Sequence, residues 1–270
     1  MIGIFDSGVG GLSILRAINT LLPNQSFVYL ADQAHVPYGP RSTMQIRSFV
    51  VAITQYLIDQ GVKLVVIACN TASGAALQHV REQFPQIPIV GLVPAIKPAA
   101  EQTLSGKIAV LATPGTFHGK LYLNVKNQHA KNVIVYQNTC PGLVEQIEKG
   151  ELTTPATRAI LESALLPLLP KGIDKVVLGC THYPFVAPLI QNIVGSQIDL
   201  IDPAPAIARR VKHVLDENHL LADESTSPIQ RFISTHDPQS LTASLKFLLD
   251  RSDDVVELIQ WNEKSTAFVY

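Results

Sequence analysis

The chain has 270 residues, 47% of them hydrophobic and 16% charged, with a net charge of -1 at neutral pH. That length fits two modest domains or one large one, and the apolar share supplies a real core. The charge balance excludes nucleic acid as the main partner, because no basic block stands out, and no window approaches the ~20 uninterrupted apolar residues of a membrane span. Three cysteines, Cys69, Cys140 and Cys180, without CxxC spacing argue against a disulfide framework or a zinc ribbon. A soluble cytoplasmic protein with reduced thiols is expected.

In chain order, strand-like runs fall at Ile2–Phe5, Phe27–Leu30, Leu64–Ala68, Ile87–Leu92, Ile108–Leu111, Val133–Tyr136, Val176–Leu178 and Asp199–Ile201. Helix-like segments between them include Leu12–Leu22, Thr43–Gln60, Ala75–Phe84, Thr157–Leu169, Phe185–Val194 and Ala206–Asn218, and a further helix starts after Cys140-Pro141. This alternation predicts βαβ units, largely parallel sheets and an α/β fold. Two halves can be superposed, Asp6-Ser7 on Ala112-Thr113 and Cys69 on Cys180, with offsets of 106 and 111 residues. The halves therefore predict one strand order used twice, in two similar parallel-sheet domains related by a pseudo-twofold axis, with the active site in the cleft between them. Pro94 and Pro98 mark the boundary, so residues 1–93 plus 207–270 form one domain and residues 94–206 the other. After a polar loop at Ala222–Pro228, the tail from Arg231 to Tyr270 should add a strand, a helix and a last strand at Val255–Trp261, packed on the first domain.

The stretches KLVVIACNTAS (Lys63–Ser73) and KVVLGCTHYP (Lys175–Pro184) each end a buried-type strand on a cysteine. Ligands of parallel α/β sheets bind at that edge, where loops and helix N-termini converge. Taken singly, such a cysteine is more often a small buried hydrophobe than a nucleophile. Two at equivalent positions would face each other across the cleft. A helix N-terminus behind each, with the amides of Asn70-Thr71 and Thr181-His182, would favour thiolates, and bringing a thiol from about 8.5 to about 7 takes only ~2 kcal/mol. Two such thiols can remove a proton from one face of a ligand and return one to the other, which inverts a stereocentre. The opening FDSGVGGL fails the dinucleotide and P-loop templates and leaves a loop whose amides could hold a carboxylate. Asp6 is either a helix cap or a proton-accepting neighbour of a thiol; His182 is either a satisfied core residue or a partner of Cys180. Tyr38-Gly39 is a turn that could also offer a hydroxyl and an amide, Glu148 is a solvated face or a second acid, and Cys140 is structural.

With FDSGVGGL, YLAD, PYGPRS, IACNTAS, VLATPGT, CPGLVEQIEKGEL, LGCTHYP and IDPA in this order, the chain resembles the glutamate racemases of bacterial cell-wall synthesis. The resemblance implies a cofactor-independent and metal-free isomerase that interconverts L- and D-glutamate and supplies the D-isomer for peptidoglycan, with homodimers common. It implies that Cys69 takes the α-proton of D-glutamate and Cys180 that of L-glutamate, assisted by Asp6 and His182 respectively, with Glu148 as a further carboxylate. Asp6-Ser7, Tyr38-Gly39, Asn70-Thr71 and Thr181-His182 match the substrate-binding pairs, Thr113 and Thr116 are additional contacts, and Asp32 resembles an acid near the first thiol. The chain opens directly on its first strand, so activation by a cell-wall precursor is not expected. Competing readings are an aspartate racemase or related two-cysteine isomerase, an amino-acid-binding module with inert thiols, and a metal or redox role; a substrate panel, an optical-rotation assay and metal analysis separate them.

Overall fold

The structure is a computed structural model that describes residues 1–223, 225 and 227–269. Its first half runs β1 (Ile2–Asp6), α1 (Leu12–Leu21), β2 (Phe27–Ala31), α2 (Thr43–Asp59), β3 (Leu64–Ile67), α3 (Asn70–Gln83) and β4 (Ile89–Gly91). The second runs α4 (Ile96–Gln102), β5 (Lys107–Leu111), α5 (Pro114–His118), α6 (Lys120–His129), β6 (Ile134–Asn138), α7 (Leu143–Glu148), α8 (Pro155–Leu165), β7 (Lys175–Leu178), α9 (Ala187–Val194) and β8 (Asp199–Ile201). The chain ends with α10 (Ala204–Glu217), β9 (Gln230–Ser234), α11 (Pro238–Leu249), β10 (Val256–Leu258), β11 (Gln260–Trp261) and β12 (Phe268–Val269).

Two parallel sheets carry the architecture, which is α/β with two domains. One has the order β10-β9-β2-β1-β3-β4 and the other β6-β5-β7-β8. Stripped of β9 and β10, the first sheet has its second strand outside its first, then its third and fourth, and the other sheet repeats that order. Phe5 stands beside Ile67 in one sheet and Leu111 beside Leu178 in the other, so the offsets of 106 and 111 residues are also those of the strand register. β1, β2, β3 and β7 are buried along their whole length while the edge strand β6 is not. Helices on both faces explain why the inner strands are continuous apolar runs without alternation.

The tail returns to the first sheet, where β9 pairs with β2 and β10 with β9. On the way, α10 lays Ala208, Val211, Val214 and Leu215 into the same apolar cluster as Leu12, Ile14, Leu15 and Ile18 of α1. Several expected elements differ. The single strand over Val255–Trp261 is two, broken at buried Ile259, whose N–H goes to Ser234 O; Trp261 then leaves the main sheet for an antiparallel hairpin with β12. Helix α3 starts at Asn70, five residues before Ala75, because the Cys69 side chain caps it. Helices α4, α5 and α6 fill a span with no expected helix; Gly119 separates the last two and their apolar stripe is weak. Of the loop Ala222–Pro228, Glu224 and Thr226 lie outside the described residues, as does Tyr270 at the end of the tail. Among the described residues no helix is long and apolar enough to cross a membrane.

Candidate active site between the two sheets

Both sheets point the C-terminal ends of their central strands at one small cavity. It is lined by Ser7, Pro37, Tyr38, Gly39, Cys69, Asn70 and Thr71 from the first half and by Thr113, Thr116, Val144, Cys180, Thr181 and His182 from the second. The two sulfurs belong to different apolar clusters, yet both face this space. Its volume is about 20 Å³, room for about one water molecule. A larger ligand does not fit the cavity in this closed state.

Cys69 follows β3 and is the N-cap of α3, with its Sγ accepting the Ala72 N–H at 3.4 Å and lying 3.9 Å from Ser7 Oγ. The helix amide was expected to hold this thiol low. Instead burial, followed by the neighbouring Asp6 charge, pushes it well above its ordinary value, with the Ala72 N–H opposing. Asp6, fully buried, is pushed up to about 6 by burial, against the pull of His182 and of the Gly11 N–H that its Oδ2 accepts at 2.8 Å. That bond goes to the residue preceding α1, so Asp6 does stabilise the helix entry. Its other oxygen, Oδ1, has no hydrogen-bond partner among the described residues; Asp6, expected to bind substrate, is fully buried and is not part of the cavity lining.

Around Cys180 the chemistry is built differently. No α-helix starts directly behind it; a 3-10 turn over Tyr183–Val186 comes first. Instead His182 Nδ1 sits 3.7 Å from Cys180 Sγ, and its Nε2 lies 2.6 Å from Glu148 Oε1 at the end of α7. Burial alone would lower His182, but its bonds to Cys180 and Glu148 outweigh that and hold it well above its usual range. Glu148 is therefore the imidazole's anchor. It is locked across the cleft by the Val9 N–H on Oε1 at 2.8 Å and by Gln33 Nε2 at 3.5 Å from Oε2.

The glycines of the opening loop make this contact possible. A Cβ on Gly8 would fall on the Glu148 carboxylate and one on Gly10 on the His182 ring. The loop is thin so that groups from the other half can lie against its backbone. Tyr29 Oη donates to Gly8 O at 2.7 Å and fixes it from below.

The remaining polar lining is donor-rich. Thr71 Oγ1 meets Thr113 Oγ1 at 2.7 Å and Thr116 Oγ1 at 3.4 Å, a hydroxyl cluster joining the halves. The Asn70 side chain is 4% exposed, and neither its Oδ1 nor its Nδ2 has a partner among the described residues. A buried amide with no partner costs about 1–3 kcal/mol, so its place in the lining points to a polar ligand. Thr181, 3% exposed, gives its carbonyl to Ser13 Oγ at 2.8 Å.

Asp32, expected as an acid near the first thiol, is absent from the lining. Its carboxylate accepts from Tyr38 Oη at 2.6 Å, Trp261 Nε1 at 2.7 Å and Thr235 Oγ1 at 2.8 Å, and lies 2.9 Å from His35 Nδ1. It is a hub that orients Tyr38. Gln33, Val9, Thr235 and Trp261 support the site without any sequence motif that marks them; the one signal for Trp261 is that it is the lone tryptophan, in a polar tail. Cys140 lies outside the cavity, buried, and is pushed up to about 12 by burial. The described residues contain no cluster of metal-ligating side chains.

The family model for Asp/Glu/hydantoin racemases matches residues 2–211. A glutamate racemase of Ectopseudomonas mendocina is 48% identical over 256 residues, covering 94% of this chain and 96% of the relative. The chain belongs to the glutamate racemase family. Members are isomerases of the amino-acid racemase class. Among solved family structures, one glutamate racemase from Bacillus anthracis superposes with a TM-score of 0.85 at 31% identity, covering 99% of this chain and 98% of that one. The Escherichia coli family member, solved in complex with L-glutamate and the activator UDP-MurNAc-Ala, has a TM-score of 0.83 at 32% identity, covering 100% of this chain and 98% of that one.

Proposed function

We propose that this protein interconverts L- and D-glutamate by moving the α-proton between Cys69 and Cys180, one on each face of the substrate, without a cofactor. The observation that carries this reading is that cysteines at equivalent strand ends of two repeated sheets line one cavity. The presence of L-glutamate in the Escherichia coli relative supports glutamate as substrate.

The chemical difficulty is the weak acidity of a hydrogen beside an ionised carboxylate. Negative charge developing toward the carboxylate must meet donors already in place, since preorganised donors in a water-poor site stabilise it far more than water does. Asn70, Thr71, Thr113, Thr116, Thr181, Ser7 and the Tyr38-Gly39 turn supply them. Cys69 deprotonates D-glutamate with Asp6 as its proton-accepting partner; Cys180 deprotonates L-glutamate with His182 held by Glu148. In each direction the other thiol returns a proton to the opposite face.

Entry requires opening, and we assign the moving bodies as residues 1–93 plus 207–270 against residues 94–206, hinged near residues 92–98 and 203–207. Closure then excludes water. The reading includes a homodimer in the cytoplasm, with D-glutamate supplied to peptidoglycan synthesis. The test is racemisation in D2O by the parent and by Cys69→Ala and Cys180→Ala. Deuterium should appear at Cα in the parent, and each variant should lose turnover. Product without solvent label, or a fully active single variant, overturns the mechanism; a substrate panel that prefers aspartate overturns the substrate.

A further inference from the structure

A second groove, of about 390 Å³, borders the catalytic cavity and shares Gly39 and Thr71 with it. Four cationic or titratable basic side chains line it, Arg41 and Arg47 from the first half and His118 and Lys120 from the second, and no carboxylate does. Arg41 donates its Nε to His35 O at 2.6 Å and lies over the Phe49 ring, and Arg47 donates its Nε to Ala75 O at 2.9 Å, so both guanidinium groups are held at the groove by neutral partners that leave their charge uncompensated. In a protein of net charge -1, such a concentration of one sign is local.

The seam between groove and cavity is made of small residues. A Cβ on Gly115 would stand 2.8 Å from Thr71 Cγ2 and 3.3 Å from Gly39 O, and one on Gly74 would stand 3.6 Å from the Gly119 backbone. Among the described residues the hydrogen bonds that bridge it are Thr71–Thr113 and Thr71–Thr116. No ion pair among the described residues crosses this seam, so parting it locally breaks hydroxyl contacts and the packing of α3 on α5 and α6 but no charge pair. Parting it also joins the basic groove to the space between the two thiols.

We propose that this groove is the entrance of the active site and that its four basic groups draw in the anionic substrate before closure. The inference rests on the functional reading above, in which the substrate carries two carboxylates and one ammonium. Focusing of a potential by one sign of charge raises association rates and fades with salt. The charges lie outside the closed cavity, so they act on arrival and not on the proton transfers.

The test compares the parent with Arg47→Glu/Lys120→Glu and with the neutral Arg47→Gln/Lys120→Gln, after thermal unfolding has shown all three folded. Both positions are exposed, and Lys120 opens α6, where an acidic residue suits the helix dipole. Exchange rates of racemic glutamate are read from ligand NMR line shapes, alongside kcat. The charge-reversed protein should associate about tenfold more slowly at low ionic strength, the neutral one by an intermediate factor, with the gap closing at high salt. In all three, kcat should stay within about twofold, because the groove takes no part after closure. Equal association rates, a gap indifferent to salt, or a parallel fall in kcat overturns the entrance while leaving the racemase reading intact. A parent that does not racemise glutamate overturns both.

Discussion

Asp6 couples stability to function in a way that can be measured. Its carboxyl is pushed from an ordinary 3.8 up to about 6 by full burial, a difference of about 3 kcal/mol at 1.36 kcal/mol per pH unit. Because the folded protein holds this proton more tightly than the unfolded one, the associated stability is fully present below about pH 3.8 and is lost as pH rises through about 6. Replacing Asp6 by Asn keeps an acceptor for the Gly11 N–H and removes the buried charge. Asp6→Asn should therefore be more stable than the parent at pH 8 by about 1–3 kcal/mol, by about half as much at pH 5, and by little near pH 4. Urea denaturation at these three pH values measures it, and racemisation of D-glutamate by the same variant should fall sharply. A variant no more stable at pH 8, or one whose advantage ignores pH, would show that Asp6 is not a strained buried carboxylate.

Other outcomes follow from single contacts. Gly8→Ala places a methyl where the Glu148 carboxylate sits, so turnover should drop about a hundredfold, with kcat in the L-to-D direction the diagnostic measurement. Trp261→Phe removes the indole N–H from Asp32 and should cost about 1–2 kcal/mol in thermal unfolding while raising KM through a looser Tyr38. Arg231→Met cuts the two-pronged bond to Glu257 that ties β9 to β10, but both side chains are part-exposed, so denaturation should register less than about 1 kcal/mol. A loss of several would mean the edge strand is more cooperative with the core than its burial implies.

Much of this was legible in the residues. Continuous apolar runs named the inner strands, and the repeat of a strand ending on cysteine located both thiols with the correct register. What local sequence withheld was partnership. The glycines at 8 and 10 read as a flexible loop able to hold a carboxylate, yet their reason is the space needed by Glu148 and His182, which come from residues more than a hundred positions away. Asp32 read as an acid because its saturation by Thr235 and Trp261 is a tertiary fact. Cys69 read as an activated thiol because a helix amide is visible in sequence and the desolvation that outweighs it is not. Helices α4 and α5, seven and five residues long, escaped because so few turns leave little periodicity to read.

The two thiols occupy matching seats but keep unlike company: a lone carboxylic acid beside one, an imidazole backed by a glutamate beside the other. Mirror-image amino acids have equal free energy in water, so thermodynamics obliges a racemase to show the same kcat/KM in both directions at every pH. Whatever the unlike supporting groups do to kcat for one enantiomer relative to the other is therefore matched by the same factor in KM.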